Sequence, residues 1–130
     1  MNRRQNSPSS VLTARDIAAM IDHSLLKPNF TLEELQAGFE LALQYEVASC
    51  CVHPMDVALA TQALAGSNVS VCAVVGFPHG AHTTEVKVLE ATRAMDDGAV
   101  ELDMVLAIGR LKSGDYNYVE EDVKAVVDVA

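Results

Sequence analysis

Residues 100–109 read VELDMVLAIG, an apolar run that predicts a buried strand with one acid, Asp103, at its middle. A carboxylate buried in apolar surroundings costs several kcal/mol unless it is paired or used in chemistry. Glu101 stands two positions before Asp103, and side chains two apart point to the same side of a strand. One face is therefore expected to carry two carboxylates. Asp103 can act there as a general acid or base, or it can form a structural ion pair with a cation from an adjacent strand.

Working outward from this run, the chain alternates between strand and helix patterns. Thr13 begins a short leading helix, and Thr31 with Glu34 forms a capping box before an amphipathic helix. Strands separated by covering helices predict a parallel sheet with right-handed crossovers. The predicted strands cover 21–26, 47–52, 69–75 and the run from residue 100, and the predicted helices cover 31–45, 55–65, 84–97 and 119–130.

Such a sheet is either open and doubly wound or closed into a barrel. No Gly-x-Gly-x-x-Gly turn follows the first strand, and the Walker phosphate loop is also missing, so the common nucleotide sites lack their glycines. A barrel of eight β/α units needs roughly 250 residues, so this chain is expected to hold about four units. In a barrel, the polar residues at the carboxyl ends of the strands carry the chemistry, which places Asp22, His53, His79 and His82 together.

The composition limits the partners and the compartment. The chain has 130 residues and a formal charge of −9, which argues against nucleic acid and anionic membranes as partners. Cys50, Cys51 and Cys72 lie in apolar runs and are interpreted as reduced thiols of a cytoplasmic protein. Residues 1–12 are predicted to be a flexible tail, and residues 13–130 to be one domain.

Several side chains have two interpretations each. Asp22 either orients a substrate hydroxyl or holds a catalytic lysine, or it is a satisfied polar group at a strand end. Cys51 is a nucleophile only if a nearby histidine lowers its pKa, and adjacent cysteines are more often packing residues.

His79 and His82 have a spacing suitable for a metal, although loop histidines that shape a pocket are favoured. Lys27, Lys87 and Lys112 are expected at loops or helix edges, where solvent keeps them charged.

Four groups of motifs, in order and at successive strand ends, resemble the deoxyribose-phosphate aldolases. The resemblance covers residues 13–130. The motifs are IDHSLLKP at 21–28, ASCCVHP at 48–54, VVGFPHG at 74–80 with TTEVK at 83–87, and ELDMV at 101–105 with IG at 108–109 and LKSGDY at 111–116.

The resemblance implies the first four units of a (β/α)8 barrel, the N-terminal half of a class I aldolase. Such an enzyme cleaves 2-deoxyribose 5-phosphate into acetaldehyde and glyceraldehyde 3-phosphate through a lysine imine, without a metal or other cofactor. It further implies that Asp103 transfers protons, that Asp22 orients the site and that Cys51 lines it. The imine-forming lysine of the family is expected beyond residue 130, and no lysine of this chain matches it.

Three departures from the family pattern affect the site. Ser24 stands where Thr is common, His53 stands where Asn is common, and Ala107 replaces an Asn, which removes an amide near the exit of the fourth strand. The chain alone is expected to be inactive, and unpaired sheet edges favour self-association or pairing with a complementary half. A non-enzymatic half-barrel or interaction module, and a metal-dependent lyase using His79 and His82, remain as alternatives. The expected partners are a sugar phosphate and an aldehyde.

Overall fold

A computed structural model describes residues 11–130 and shows a parallel sheet of four strands in the order β1-β2-β3-β4. Each strand pairs with the next one along the sequence, so the expected parallel sheet is confirmed. The strands are β1 Asp22–Leu25, β2 Ser49–Val52, β3 Ser70–Val75 and β4 Glu101–Met104.

Helices follow or precede every strand, as the apolar periodicity predicts. A 3-10 turn at Pro54–Asp56 leads into the third helix, and a short fifth helix follows β4. The helices are α1 Ala14–Ala18, α2 Leu32–Tyr45, α3 Val57–Ala63, α4 Thr84–Asp96, α5 Ile108–Lys112 and α6 Tyr116–Val127.

The N-terminus of α2 has the predicted capping box. The amide of Glu34 donates to Thr31 Oγ1 at 3.2 Å, and the amide of Thr31 donates to Glu34 Oε2 at 2.8 Å. Two backbone donors that the helix leaves unpaired are thereby satisfied, which fixes where α2 begins.

One face of the sheet packs against the helices and forms the main core. Alternate residues of the strands supply this face because successive strand side chains point to opposite sides. The helices contribute buried side chains from α2 and α3. The core cluster includes Leu25, Cys50, Val52, Val71 and Ala73 from the strands and Leu35, Phe39, Ala42, Val57 and Ala60 from the helices.

The region around β4 differs from the expected buried strand over 100–109. The strand ends at Met104, and residues from Ile108 onward turn into α5. Glu101 and Asp103 are exposed and not buried, because they alternate along β4 with Leu102 and Met104, which pack toward α4 and α6 on the other side of the sheet. The expectation that this acid lies in apolar surroundings was therefore wrong for the described residues.

Within residues 11–130, none of the helices has the combination of length and apolar character that crossing a bilayer requires. Residues 1–10 of the predicted tail lie outside the described residues, and Val11 and Leu12 are exposed ahead of α1.

Candidate functional site

The face of the sheet that turns away from the helices carries mostly small and polar side chains. The parallel register places Ser24, Cys51, Cys72 and Glu101 opposite one another across all four strands. Residues two positions away share this side. We call this surface the polar face, and its members are Asp22, Ser24, Ser49, Cys51, Ser70, Cys72, Val74, Glu101 and Asp103.

Asp22 and Cys51, two of the predicted site residues, lie together on this polar face. Ser49 Oγ donates to Asp22 Oδ1 at 2.7 Å, which orients the carboxylate. Among residues 11–130, Asp22, Cys51 and Cys72 form a group whose ligand atoms all lie within 4.8 Å of one another. Asp22 is the first residue of β1, so it lies at the amino end of its strand and not at the carboxyl end where we expected it.

The thiol of Cys51 is poorly suited to nucleophilic attack. A hydrogen bond with Cys72 is the largest of the effects that raise the pKa of the Cys51 thiol, followed by burial and the carboxylates of Asp22 and Asp103. A thiol must lose its proton before it attacks a carbonyl or binds a metal. The raised pKa therefore favours Cys51 as a lining residue.

Asp103 lies on the same polar face, one strand beyond Cys72. It is close enough for its charge to raise the pKa of the Cys51 thiol, so both acids, Asp22 and Asp103, act on one thiol. Its exposed carboxylate leaves space on this face for a small molecule to approach. The proton-transfer role of Asp103 stays a prediction.

The neighbouring thiol of Cys50 lies on the core side of the sheet. Its titration makes the free energy of unfolding depend on pH in the alkaline range. Burial, with smaller effects of Asp22 and Cys72, raises the pKa of Cys50 from 9.0 to about 12. Between those values the unfolded chain releases this proton while the folded chain keeps it, so stability falls as pH rises. The pKa of the Cys51 thiol is raised as well, so we expect Cys50→Ala to make this fall less steep without abolishing it in urea unfolding between pH 9 and about 12. An equally steep fall in Cys50→Ala would contradict the assignment to Cys50.

Three of the four histidines, His53, His79 and His82, follow the carboxyl ends of β2 and β3. His53 follows β2, its Nε2 lies 3.2 Å from the carbonyl oxygen of Leu26, and its ring meets Phe77 edge to face with centroids 5.7 Å apart. His79 and His82 line a cavity of about 540 Å³ between the loops that follow β3 and β4. Within residues 11–130, these two histidines belong to no group of three close metal-ligating side chains.

Ala107 occupies the position that precedes α5. It is the N-cap residue of this helix, and no side-chain hydrogen bond caps the helix there. An Asn, which the resemblance leads us to expect at this position, could supply such a bond, since Asn is a preferred N-cap residue. The departure at Ala107 therefore affects the start of α5, beside the cavity lined by His79 and His82.

Lys87 contradicts the expectation that solvent keeps it charged at a helix edge. Its side chain is 0% exposed, and Nζ donates to Asp122 Oδ2 at 2.6 Å. The second half of this buried pair, Asp122 on α6, was not singled out from the sequence. Helical spacing could have identified both, because Lys87 shares a buried stripe with Ala91 and Ala94.

Curated proteins named deoxyribose-phosphate aldolase are similar to this chain. The Clostridium perfringens protein of that name is 51% identical over 116 residues, which make up 89% of this chain and 52% of the relative. The chain thus spans about half the length of this curated relative. No protein-family model matches the chain.

Solved structures share the arrangement of strands and helices. A structure described as a candidate deoxyribose-phosphate aldolase of Coccidioides immitis aligns with a TM-score of 0.88 at 39% identity, over 92% of this chain and 47% of that one. The tetrameric deoxyribose phosphate aldolase of Aeropyrum pernix aligns with a TM-score of 0.82 at 29% identity, over 90% of this chain and 48% of that one. The predicted fold class, four consecutive units of a (β/α)8 barrel, is confirmed.

Proposed function

We propose that this chain, which is homologous over most of its length to about half of a deoxyribose-phosphate aldolase, supplies the acid-bearing N-terminal half of such an enzyme. The reaction is the reversible cleavage of 2-deoxy-D-ribose 5-phosphate into acetaldehyde and D-glyceraldehyde 3-phosphate through a lysine imine. The observation that carries this proposal is that the exposed carboxylates of Asp22 and Asp103 share one face of a parallel sheet with the buried thiol of Cys51.

In this proposal, Asp103 moves the proton that the carbon chemistry requires. The imine of acetaldehyde must lose a methyl proton to become the enamine that attacks the second aldehyde, and cleavage returns a proton to the same carbon. A carboxylate on the polar face is positioned to accept and return that proton, directly or through a water. Asp22, held by Ser49, orients the site, and Cys51 lines it as a neutral thiol.

The imine-forming lysine is proposed to come from the half of the aldolase that this chain does not span. Lys87 is enclosed between α4 and α6 and pairs with Asp122, so it cannot reach a carbonyl on the polar face. Lys27 lies over the ring of Phe30 with Nζ 5.4 Å from the centroid. Lys112 and Lys124 lie exposed on α5 and α6, away from the polar face.

Borohydride trapping tests this function directly. Incubation with acetaldehyde and borohydride is expected to give no stable two-carbon adduct on residues 1–130, because the nucleophilic lysine is supplied elsewhere. The same chain continued by the segment that follows the matched region of the Clostridium perfringens relative, here called the completed protein, is expected to gain one such adduct. Intact-mass measurement followed by peptide mapping checks both results.

The trapping experiment also separates the alternatives. An adduct on residues 1–130 alone would contradict the assignment of the lysine to the missing half. A completed protein that folds but forms no imine would favour the half-barrel interaction module. Activity that disappears with a chelator and without imine formation would favour a metal-dependent lyase using His79 and His82.

Assembly and compartment follow from the same proposal. The solved relative from Aeropyrum pernix is a tetramer, which supports an oligomer for the completed protein. We propose a homo-oligomer that acts on small phosphorylated sugars and aldehydes. The free thiols of Cys50, Cys51 and Cys72 fit the reducing cytoplasm.

A further inference from the structure

A buried ion pair joins two helices to the end of the strand that carries Asp103. Lys87 on α4 donates from Nζ to Asp122 Oδ2 on α6 at 2.6 Å, and both side chains are 0% exposed. The other carboxylate oxygen, Asp122 Oδ1, accepts a hydrogen bond from Thr84 Oγ1 at 2.8 Å. Lys87 Nζ also donates to the carbonyl oxygen of Val105 at 3.1 Å.

Val105 is thereby fixed at both of its backbone polar groups. Its amide donates to the carbonyl oxygen of Val75 at 2.9 Å, which continues the pairing of β4 with β3. Its carbonyl oxygen accepts from Lys87. Val105 lies two residues after Asp103, so the backbone that aims this carboxylate is anchored immediately beyond it.

Two glycines show how closely the surrounding loops fit this anchor. Gly76, at φ +68°, lies against the Lys87 side chain, because a Cβ there would stand 2.9 Å from Lys87 Cε. Gly80, at φ +63°, lies against the strand exit, because a Cβ there would stand 1.8 Å from the carbonyl oxygen of Leu106. The loop after β3 and the exit of β4 therefore cannot shift independently.

Stability alone does not explain why a buried ion pair stands between α4 and α6. Removing two charges from water costs several kcal/mol, and a well-packed apolar pair of similar volume often stabilises a protein as well or better. An apolar pair, however, cannot donate a hydrogen bond to a carbonyl oxygen. What Lys87 adds beyond packing is its bond to Val105, which sets the position of a single peptide group.

We propose that the Lys87–Asp122 pair is a positioning device for the Asp103 carboxylate. This inference rests on the proposed function, in which Asp103 carries a proton to and from the imine. Lys87 holds the exit of β4, Asp122 and Thr84 hold Lys87, and the carboxylate is kept at the distance that proton transfer needs. A displacement of about 1 Å can slow a reaction about 100-fold.

The test compares two kinds of variant in the completed protein. Lys87→Met combined with Asp122→Leu replaces the ion pair by an apolar pair and leaves no buried charge. Thr84→Val removes only the hydroxyl that orients Asp122, and Thr84→Ser is its conservative control. Three quantities are measured: the yield of imine trapped with acetaldehyde and borohydride, the exchange of acetaldehyde methyl hydrogens for solvent deuterium, and kcat and KM for sugar phosphate cleavage.

A positioning role predicts that proton transfer slows while folding and imine formation remain. The double variant should keep its thermal midpoint and its trapped imine, with deuterium exchange and kcat lower by about 10- to 100-fold and KM nearly unchanged. Thr84→Val should lose about fivefold in exchange, the equivalent of about one hydrogen bond, and Thr84→Ser should recover it.

The outcomes distinguish this inference from the function on which it rests. Normal exchange and kcat in a folded double variant would overturn the positioning role and leave the aldolase assignment intact. If the double variant does not fold, equal exchange rates in Thr84→Val and the unchanged protein would overturn it instead. Failure of the unchanged completed protein to trap any imine would overturn the proposed function itself.

Discussion

Asp103→Asn is expected to slow sugar phosphate cleavage by the completed protein about 10²- to 10⁴-fold, the usual contribution of a positioned general acid or base. The amide keeps the size of the side chain but cannot accept and return a proton. Imine formation uses a lysine elsewhere, so the adduct trapped by borohydride should persist. Steady-state kinetics and the exchange of acetaldehyde methyl hydrogens for deuterium measure the loss.

Glu101→Gln is the matched control for this prediction. Glu101 lies two residues earlier on the same strand, shares the polar face and is exposed like Asp103. The Glu101→Gln variant loses the same charge at a position nearer the start of the strand. The kcat of this variant should therefore stay within about threefold of that of the unchanged protein. Equal losses in the two variants would show that the face needs negative charge in general and not a proton carrier at Asp103.

Lys87→Met is expected to lower the free energy of unfolding of this chain by about 3–5 kcal/mol, because it leaves Asp122 as an unpaired buried carboxylate. Both side chains of the pair are 0% exposed, so water cannot replace the missing ammonium without opening the contact between α4 and α6. Urea unfolding followed by circular dichroism measures the loss.

Two further variants test whether this loss of stability comes from the unpaired buried charge. Lys124→Met removes an exposed lysine from α6 and should change stability by less than about 0.5 kcal/mol. Adding Asp122→Leu to Lys87→Met should recover most of the stability, because no buried charge is then left. A Lys87→Met chain as stable as the Lys124→Met chain would contradict the burial of this ion pair.

The order of strands and helices could be predicted because local signals specify it. Thr31 and Glu34 form the capping box that their spacing indicates, and Cys51 shares its side of the sheet with Asp22 because alternation along paired strands is strict. The strand at Asp103 was predicted too long. Apolar residues continue to Ile108, but the chain turns into α5 there, and hydrophobicity alone does not distinguish a strand from a short helix.

The parts of the site that were missed depend on contacts between distant residues. Lys87 and Asp122 are 35 positions apart, and only the packing of α4 against α6 makes them partners. Because lysines are usually exposed, the residue type alone predicts that Lys87 faces solvent. Its spacing from Ala91 and Ala94 on α4, in contrast, indicates burial. For Cys72 the sequence predicts only a reduced thiol. Its position beside Cys51 follows from the register of β2 and β3, which the sequence alone does not specify.

The strand order β1-β2-β3-β4 has a consequence for synthesis on the ribosome. Every strand pairs with the one made just before it, so each new β/α unit finds its docking surface already emerged. Pairing between units that are adjacent in sequence keeps the contact order low, and a low contact order speeds folding. The sheet can therefore grow vectorially, one unit at a time, while the nascent chain is still being elongated.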